Sequence, residues 1–222
     1  MHNVLSKNKI KHWVAYGTLL GGVRQNDIIP YDYDFDFGAF VKDTDKILSL
    51  NKYIKKDGYR FKKKYNDFLW RVSIKVEFYY REQWVEYGDI YLYTICSDNY
   101  VRRYDPSTQI YFWPRSTFHR YFIDRLDKVM INGIAFPSPS YASFLLRLWY
   151  GKQWLTPIKS ESQGGKKSKG YDYYGSFDDI TLWPVVRFTN EYTDMKEPIK
   201  YLFPPIHKKW SSYNDHLIRY LK

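Results

Sequence analysis

Between residues 30 and 40 the chain alternates acid with aromatic. The stretch "YDYDFDFGAF" places Asp32, Asp34 and Asp36 at every second position, between Tyr31, Tyr33, Phe35 and Phe37. A period of two is the repeat of a β-strand, in which residues i, i+2 and i+4 share one side. The pattern predicts a strand that starts just after Pro30, with a row of carboxylates on one side and Tyr33, Phe35 and Phe37 buried on the other. Upstream, the apolar run over 13–16 reads as a short strand, Gly17-Thr18 as a turn, and 19–24 as a helix. Gly21-Gly22 inside that helix costs about 1 kcal/mol each against Ala, so a close neighbour is expected there.

Downstream, residues 41–58 change to a helical period. Ile47, Leu48, Leu50 and Ile54 fall within one stripe, and Gly58 follows as a stop. "FLWRVSIKVEFYY" and "QWVEYGDIYLYTI" return to strand character, with alternation clearest at Val72, Ile74 and Val76. "KVMINGIAFPSP" reads as a hairpin about Asn132-Gly133. Ser140 stands where an N-cap belongs for the apolar helix "YASFLLRLWYG", which ends at Gly151. Over 159–175 the composition shifts to "KSESQGGKKSKGYDYYG", a basic loop of flexible composition. The remainder, with Pro184, Pro198, Pro204 and Pro205, reads as irregular and ends in a short helix near "DHLIRYLK".

Composition narrows the class. A chain of 222 residues and 27.0 kDa can bury one core, and a 44% hydrophobic share is not that of a disordered protein. The 21% aromatic share supplies core and also suits grooves that handle sugars or bases. A formal charge of +11 and a pI near 9.4 fit an anionic partner or, equally, a Lys-rich solvated face. Cys96 is the single cysteine, so an internal disulfide and a cysteine-built zinc site are both excluded. No leader pattern opens the chain and no run of about 18 apolar residues occurs, so a soluble, cytoplasmic or intracellular product is expected.

The aspartates carry the chemistry. Three anions in a row repel one another and call for a cation, and hard divalent ions with oxygen ligands are the natural partners. A metal held by one or two carboxylates, with positions left for phosphates, is the arrangement of phosphoryl transfer. A solvated amphipathic strand is the plain alternative. A calcium loop using Asp32, Asp34, Asp36 and Asp43 fails where it needs a turn glycine, because Phe37 stands there. Gly17-Thr18 before a helix would offer backbone amides and a hydroxyl to a phosphate, with Arg24 on the same helix.

Together these pieces resemble a family. "YGTLLGGVRQNDIIPYDYDFDFG" is similar to the LicD and fukutin motif, a G-T/S-L-L-G-x-x-R helix leading into I-P-W-D-x-D-x-D, and is closest to its fukutin-related members. "NDFLWRVSI", "VEYGDIYLY" and "GIAFPSPSYASFLLRLWYGKQWLTP" resemble later parts of the same pattern. The resemblance implies an α+β, polymerase-β-like nucleotidyltransferase fold: a mixed sheet with flanking helices and an irregular C-terminal extension. It places that domain over 1–157, with 158–222 as a basic loop and extension packed on it. It implies Asp34 and Asp36 as the metal pair, Asp32 beside them, and Asp89 as the further acidic residue, with Mg²⁺ (or Mn²⁺) as cofactor. Glu77 and Glu86 fit that pattern less well. Gly17, Thr18, Arg24 and Arg71 would contact substrate phosphate, although Arg71 reads equally as a structural partner of an aspartate. Tyr150, Trp154 and His119 read as structural.

The implied activity is transfer of a phospho-substituent, such as phosphocholine or ribitol phosphate, from a CDP-linked donor to a sugar hydroxyl of a glycan, with release of CMP. Departures from the pattern are Tyr31 in place of Trp, Gly22 in place of Ala, and the lack of zinc-site cysteines and of an N-terminal stem. Two other readings keep the same residues: nucleotide transfer to RNA or another acceptor, and a glycan-binding pseudoenzyme. No RNA-binding module is visible, so nucleic acid is not the expected partner.

Overall fold

The structure is a computed structural model that describes residues 1–30, 32, 34–66, 71–97, 99–104, 117–150 and 154–156. All of them lie in one compact unit, Met1–Tyr174. The loop expected over 159–175, the C-terminal helix and the extension all fall outside the described residues.

The chain opens with α1 (His2–Lys7), β1 (His12–Val14), α2 (Tyr16–Gln25) and β2 (Phe35–Phe40). Two short helices follow, α3 (Thr44–Ser49) and α4 (Asn51–Ile54), and then the strands β3 (Tyr59–Asn66), β4 (Arg71–Tyr80), β5 (Gln83–Ile95), β6 (Tyr100–Arg103) and β7 (Phe118–His119). The last described elements are α5 (Tyr121–Asp124), β8 (Leu126–Ile131), β9 (Ile134–Pro139) and α6 (Ala142–Tyr150). Among the described residues, seven strands form one sheet in the order β1-β2-β5-β4-β3, with β6 on the far end of β5 and β7 on β6. The β2–β5 pair is parallel and the other pairs are antiparallel, so the sheet is mixed and the class is α+β. β8 and β9 form a separate hairpin that packs on α2. Among the described residues, no helix is long and apolar enough to cross a membrane.

The acidic strand is shorter than its alternation predicts. β2 begins at Phe35, because the Asp32 N–H closes a turn onto the Ile29 carbonyl (2.9 Å) and strand pairing with β5 starts only at Phe35. Asp32 and Asp34 therefore precede the strand, and Asp36 alone of the three lies in it. Helix α2, conversely, starts earlier than expected. Ala15 is extended (φ −134°, ψ 171°), and its carbonyl accepts the first helical bond from Leu19. Gly17 and Thr18 thus belong to the first helical turn. The close neighbours expected at Gly21 and Gly22 are present: a Cβ on Gly22 would sit 2.9 Å from Val129 and 3.0 Å from Ile131.

Residues 41–58 keep their stripe but not one helix. Asn51 exchanges side-chain bonds with the Phe61 backbone (2.9 and 2.7 Å) where α3 gives way to α4, and Ile47, Leu50 and Ile54 remain buried. Asn132 and Gly133, both at positive φ, turn the β8–β9 hairpin as expected. Ser140 does not cap α6; its hydroxyl donates to the Arg125 carbonyl instead.

On one face of the sheet, Trp13 fills the core between Phe40 and Tyr93, with ring centroids 5.5 Å from each. Its ring lies against Gly38, its partner across the β1–β2 ladder, and a Cβ there would fall 2.6 Å from Trp13 Cζ2. Gly38→Ala is therefore expected to destabilise the fold by about 1–3 kcal/mol through overpacking. Denaturant unfolding measures this directly, and an unchanged midpoint would count against the packing described.

Candidate active site

Sheet register gathers the acidic residues. In the parallel β2–β5 ladder Asp36 lies opposite Asp89, and in the antiparallel β4–β5 ladder Lys75 lies opposite Asp89 from the other side. Asp34 precedes β2 by one residue. One carboxylate oxygen from each of Asp34, Asp36 and Asp89 lies within 4.8 Å of the others. Asp36 and Asp89 are buried, whereas Asp34 is exposed and Asp32 half-buried.

The start of α2 closes over this group. The Gly17 N–H donates to Asp36 Oδ2 (3.1 Å), and the Asp36 N–H donates to Thr18 Oγ1 (2.7 Å). A Cβ on Gly17 would run into the Asp32 carboxylate and come within 3.5 Å of Asp36 Oδ2. Gly17 thus leaves room for two carboxylates at one helix start. On the sheet side, Ser73 Oγ donates to Asp89 Oδ1 (2.9 Å) and Lys75 Nζ to Asp89 Oδ2 (2.7 Å). Lys75 also lies 3.4 Å from Glu86.

Burial, followed by the charges of Asp34, Asp89 and Asp32, pushes the Asp36 carboxyl up to about 8, against a hydrogen bond from Tyr91 that favours its ionised form. Burial pulls the Lys75 ammonium down, but Asp89 and Glu86 outweigh it and hold the group above its ordinary value. Burial and the Asp36 charge raise the Tyr91 phenol well above its usual range. The Arg103 guanidinium lies over the Tyr91 ring, 4.2 Å from its centroid, and Tyr16 meets the same ring edge-on at 5.1 Å. A divalent cation suits this group on two counts: the donors are all hard carboxylate oxygens, and one of them ionises at neutral pH only with added positive charge nearby.

The residues singled out from the sequence fall into three groups. Asp34, Asp36 and Asp89 converge, Asp32 lies beside them, and Gly17 and Thr18 bond Asp36. Arg24 lies in the last turn of α2, half-buried and about 10 Å along the axis from Gly17. Arg71 opens β4, and its side chain falls outside the described residues. Asp43 sits in the turn after β2 and is not in the convergent group. Glu77 pairs with Arg60 and Glu86 with Lys64 and Lys75, while His119 packs edge-on to Tyr100. Ser73, Lys75 and Tyr91 escaped the sequence reading. Alternation on β4 puts Ser73 and Lys75 on the side opposite Val72, Ile74 and Val76, but only the register with β5 brings them to Asp89.

The raised Asp36 carboxyl ties stability to pH. With an ordinary value of 3.8 in the unfolded chain and about 8 in the fold, its favourable contribution is fully present below pH 4 and is lost as pH rises through 8. The metal-free protein should therefore melt progressively lower from pH 5 to pH 8.5. Asp36→Asn should flatten that slope, and Mg²⁺ should raise the melting temperature more at pH 8 than at pH 5. Thermal unfolding across this range checks all three, and a slope unaffected by Asp36→Asn would contradict them.

The family model for the LicD/FKTN/FKRP nucleotidyltransferase domain matches residues 9–141, more than half of the chain. An uncharacterized protein of Rickettsia typhi is 44% identical over 61 residues, covering 28% of this chain and 20% of the relative. A second, from Rickettsia prowazekii, is 41% identical over 58 residues, covering 26% and 22%. The human ribitol 5-phosphate transferase FKRP is 44% identical over 41 residues, covering 18% of this chain and 8% of its own. The matched stretches thus span less than a quarter of each of these relatives. The family match takes in β1, α2, the three converging aspartates and the β8–β9 hairpin. On that match the α+β fold is of the nucleotidyltransferase type, and the chain belongs to the LicD/FKTN/FKRP family.

Proposed function

We propose that this chain is a transferase that moves a phospho-substituent, such as phosphocholine or ribitol phosphate, from a CDP-linked donor to a sugar hydroxyl of a glycan and releases CMP. The observation that carries the reading is the convergence of Asp34, Asp36 and Asp89 within 4.8 Å, at the first turn of α2. Family membership supports it, as does the likeness to a ribitol 5-phosphate transferase.

In this reading Asp34, Asp36 and Asp89 would hold Mg²⁺ or Mn²⁺, with Asp32 adjoining. When bound, the ion would neutralise the donor's diphosphate and make its phosphorus more electrophilic. The chain's own groups do the rest. Ser73 and Lys75 hold both oxygens of Asp89, so its carboxylate keeps one orientation towards Asp36. Gly17 and Tyr91 hold the Asp36 carboxylate. Arg24 and Arg71 are the cations proposed for the donor's phosphates, together with the Gly17 amide and the Thr18 hydroxyl. In this reading Asp89 would also help to take the proton of the attacking sugar hydroxyl.

The test is CMP release with Mg²⁺ across CDP-choline, CDP-ribitol and CDP-glycerol. At least one donor should turn over, and chelation should stop it. Asp34→Asn and Asp36→Asn should each lower kcat/KM by roughly 10²–10³-fold while circular dichroism stays native. Normal turnover in either variant would overturn the assignment.

A further inference from the structure

The face of the sheet that carries Asp36 and Asp89 continues beyond them. Its rows can be read from the ladders. Asp36, Asp89, Lys75 and Lys62 form one row; Glu86, Glu77 and Arg60 form the next; Trp84 and Tyr79 form the one after that. The continuity depends on a bulge. Val76 pairs with Gly88 and Glu77 with Glu86, which leaves Tyr87 unmatched on β5. In a regular strand Glu86 and Trp84, three and five residues before Asp89, would point to the opposite side from it. The bulge therefore keeps Trp84 on the same face as the carboxylate group.

Tyr79 and Trp84 form an aromatic pair with ring centroids 5.3 Å apart; Tyr79 is 53% exposed and Trp84 is half-buried. Their placement is built from below. Glu77, only 4% exposed, bonds Arg60, and the Arg60 guanidinium lies 4.2 Å from the Trp84 ring centroid. Four residues of strand separate Tyr79 from Lys75, about 13 Å at the rise of a β-strand. An oriented aromatic pair whose Tyr79 ring is open to solvent marks a contact surface.

We infer that Tyr79 and Trp84 form a stacking platform for sugar units of the acceptor glycan that lie beyond its reacting hydroxyl. This rests on the transferase reading above. Three features favour a glycan over other occupants. The platform shares one face with the metal-binding carboxylates, so a chain lying along β4 and β5 reaches both. Sugar rings offer apolar C–H faces to aromatic rings and hydroxyls to charged neighbours, and the intervening row supplies both signs of charge through Glu86 and Arg60. Among the described residues of the rows between the carboxylates and the platform, the cations already face carboxylates: Arg60 and Lys62 face Glu77, Lys64 faces Glu86, and Lys75 faces Asp89. A nucleic-acid backbone needs unmatched cations along its path.

The test measures binding of the full-length protein to an array of bacterial and mammalian oligosaccharides, with oligouridylate as a second probe. Tyr79→Ala, Tyr79→Phe and the Tyr79→Ala/Trp84→Ala double variant are compared with wild type. The platform predicts glycan binding by wild type, its retention in Tyr79→Phe, a loss of at least tenfold in Tyr79→Ala, and a greater loss in the double variant. Because Tyr79 is on the surface, the single variants test the proposal even if the double variant misfolds. Absence of glycan binding by wild type, equal glycan binding by Tyr79→Ala, or a platform-dependent affinity for oligouridylate alone would each overturn it. Donor turnover to water by wild type is measured in parallel. Glycan binding without donor turnover removes the transferase reading and leaves the platform; turnover without glycan binding does the reverse.

Discussion

A carboxylate that cannot comfortably ionise organises this molecule. Asp36 is buried, lies in register with Asp89, and has Asp34 and Asp32 near it. Burial and like charge both act against its ionised form. The fold offsets part of this with neutral donors, the Gly17 amide and the Tyr91 hydroxyl, and leaves the remaining repulsion uncompensated. Removing the repulsion within the fold would take only a substitution at one of these positions. Keeping it creates a place where a divalent cation would bind with more free energy than scattered surface acids would provide. The same tension accounts for Gly17, where any side chain would collide with Asp32.

Strand register carries this local constraint outward. The parallel β2–β5 pairing fixes Asp36 beside Asp89, and the antiparallel β4–β5 pairing sets Lys75 against Asp89 on the other side. A one-residue slip in either ladder would turn one partner to the opposite face. The ladder beyond contains such a slip, at Tyr87, and there the shift preserves the alignment of Glu86 and Trp84 with Asp89. Hydrophobic packing guards the register from the other side through Val72, Ile74, Val76 and Ile90, all of which are buried. The Gly38–Trp13 contact holds β1 against β2 in the same way.

Much of this arrangement was legible in the residue pattern, and the rest was hidden for definite reasons. Alternation located β4 and β5, Asn132-Gly133 located the hairpin, and paired glycines announced the contact of α2 with β8. Alternation failed at Asp32 and Asp34 because a strand also needs a partner: the Asp32 N–H turns back onto Ile29, and pairing with β5 starts only at Phe35. Ser140 looked like a cap because its type and position fitted, but a carbonyl on a distant segment offered its hydroxyl a bond instead. Lys75 and Ser73 were invisible as partners of Asp89 because their relation is one of register between strands, which no local pattern encodes. The bulge at Tyr87 was hidden for the same reason.

The start of α2 deserves a different description from the one its sequence invites. A glycine and a threonine at a helix start suggest a cradle for an incoming phosphate. Here that position is already taken, because the Gly17 amide and Thr18 hydroxyl face Asp36. One N–H cannot serve a carboxylate and a phosphate oxygen fully at once, so an anion that reaches it must displace Asp36 Oδ2. Anything that draws Asp36 elsewhere therefore frees the amide, and anything that protonates Asp36 weakens its hold on it. Occupancy of the carboxylate group and of the helix start are thus coupled through one hydrogen bond, and by linkage the coupling runs equally in both directions. The helix start serves the carboxylates first, and a phosphate would reach it only in exchange for Asp36.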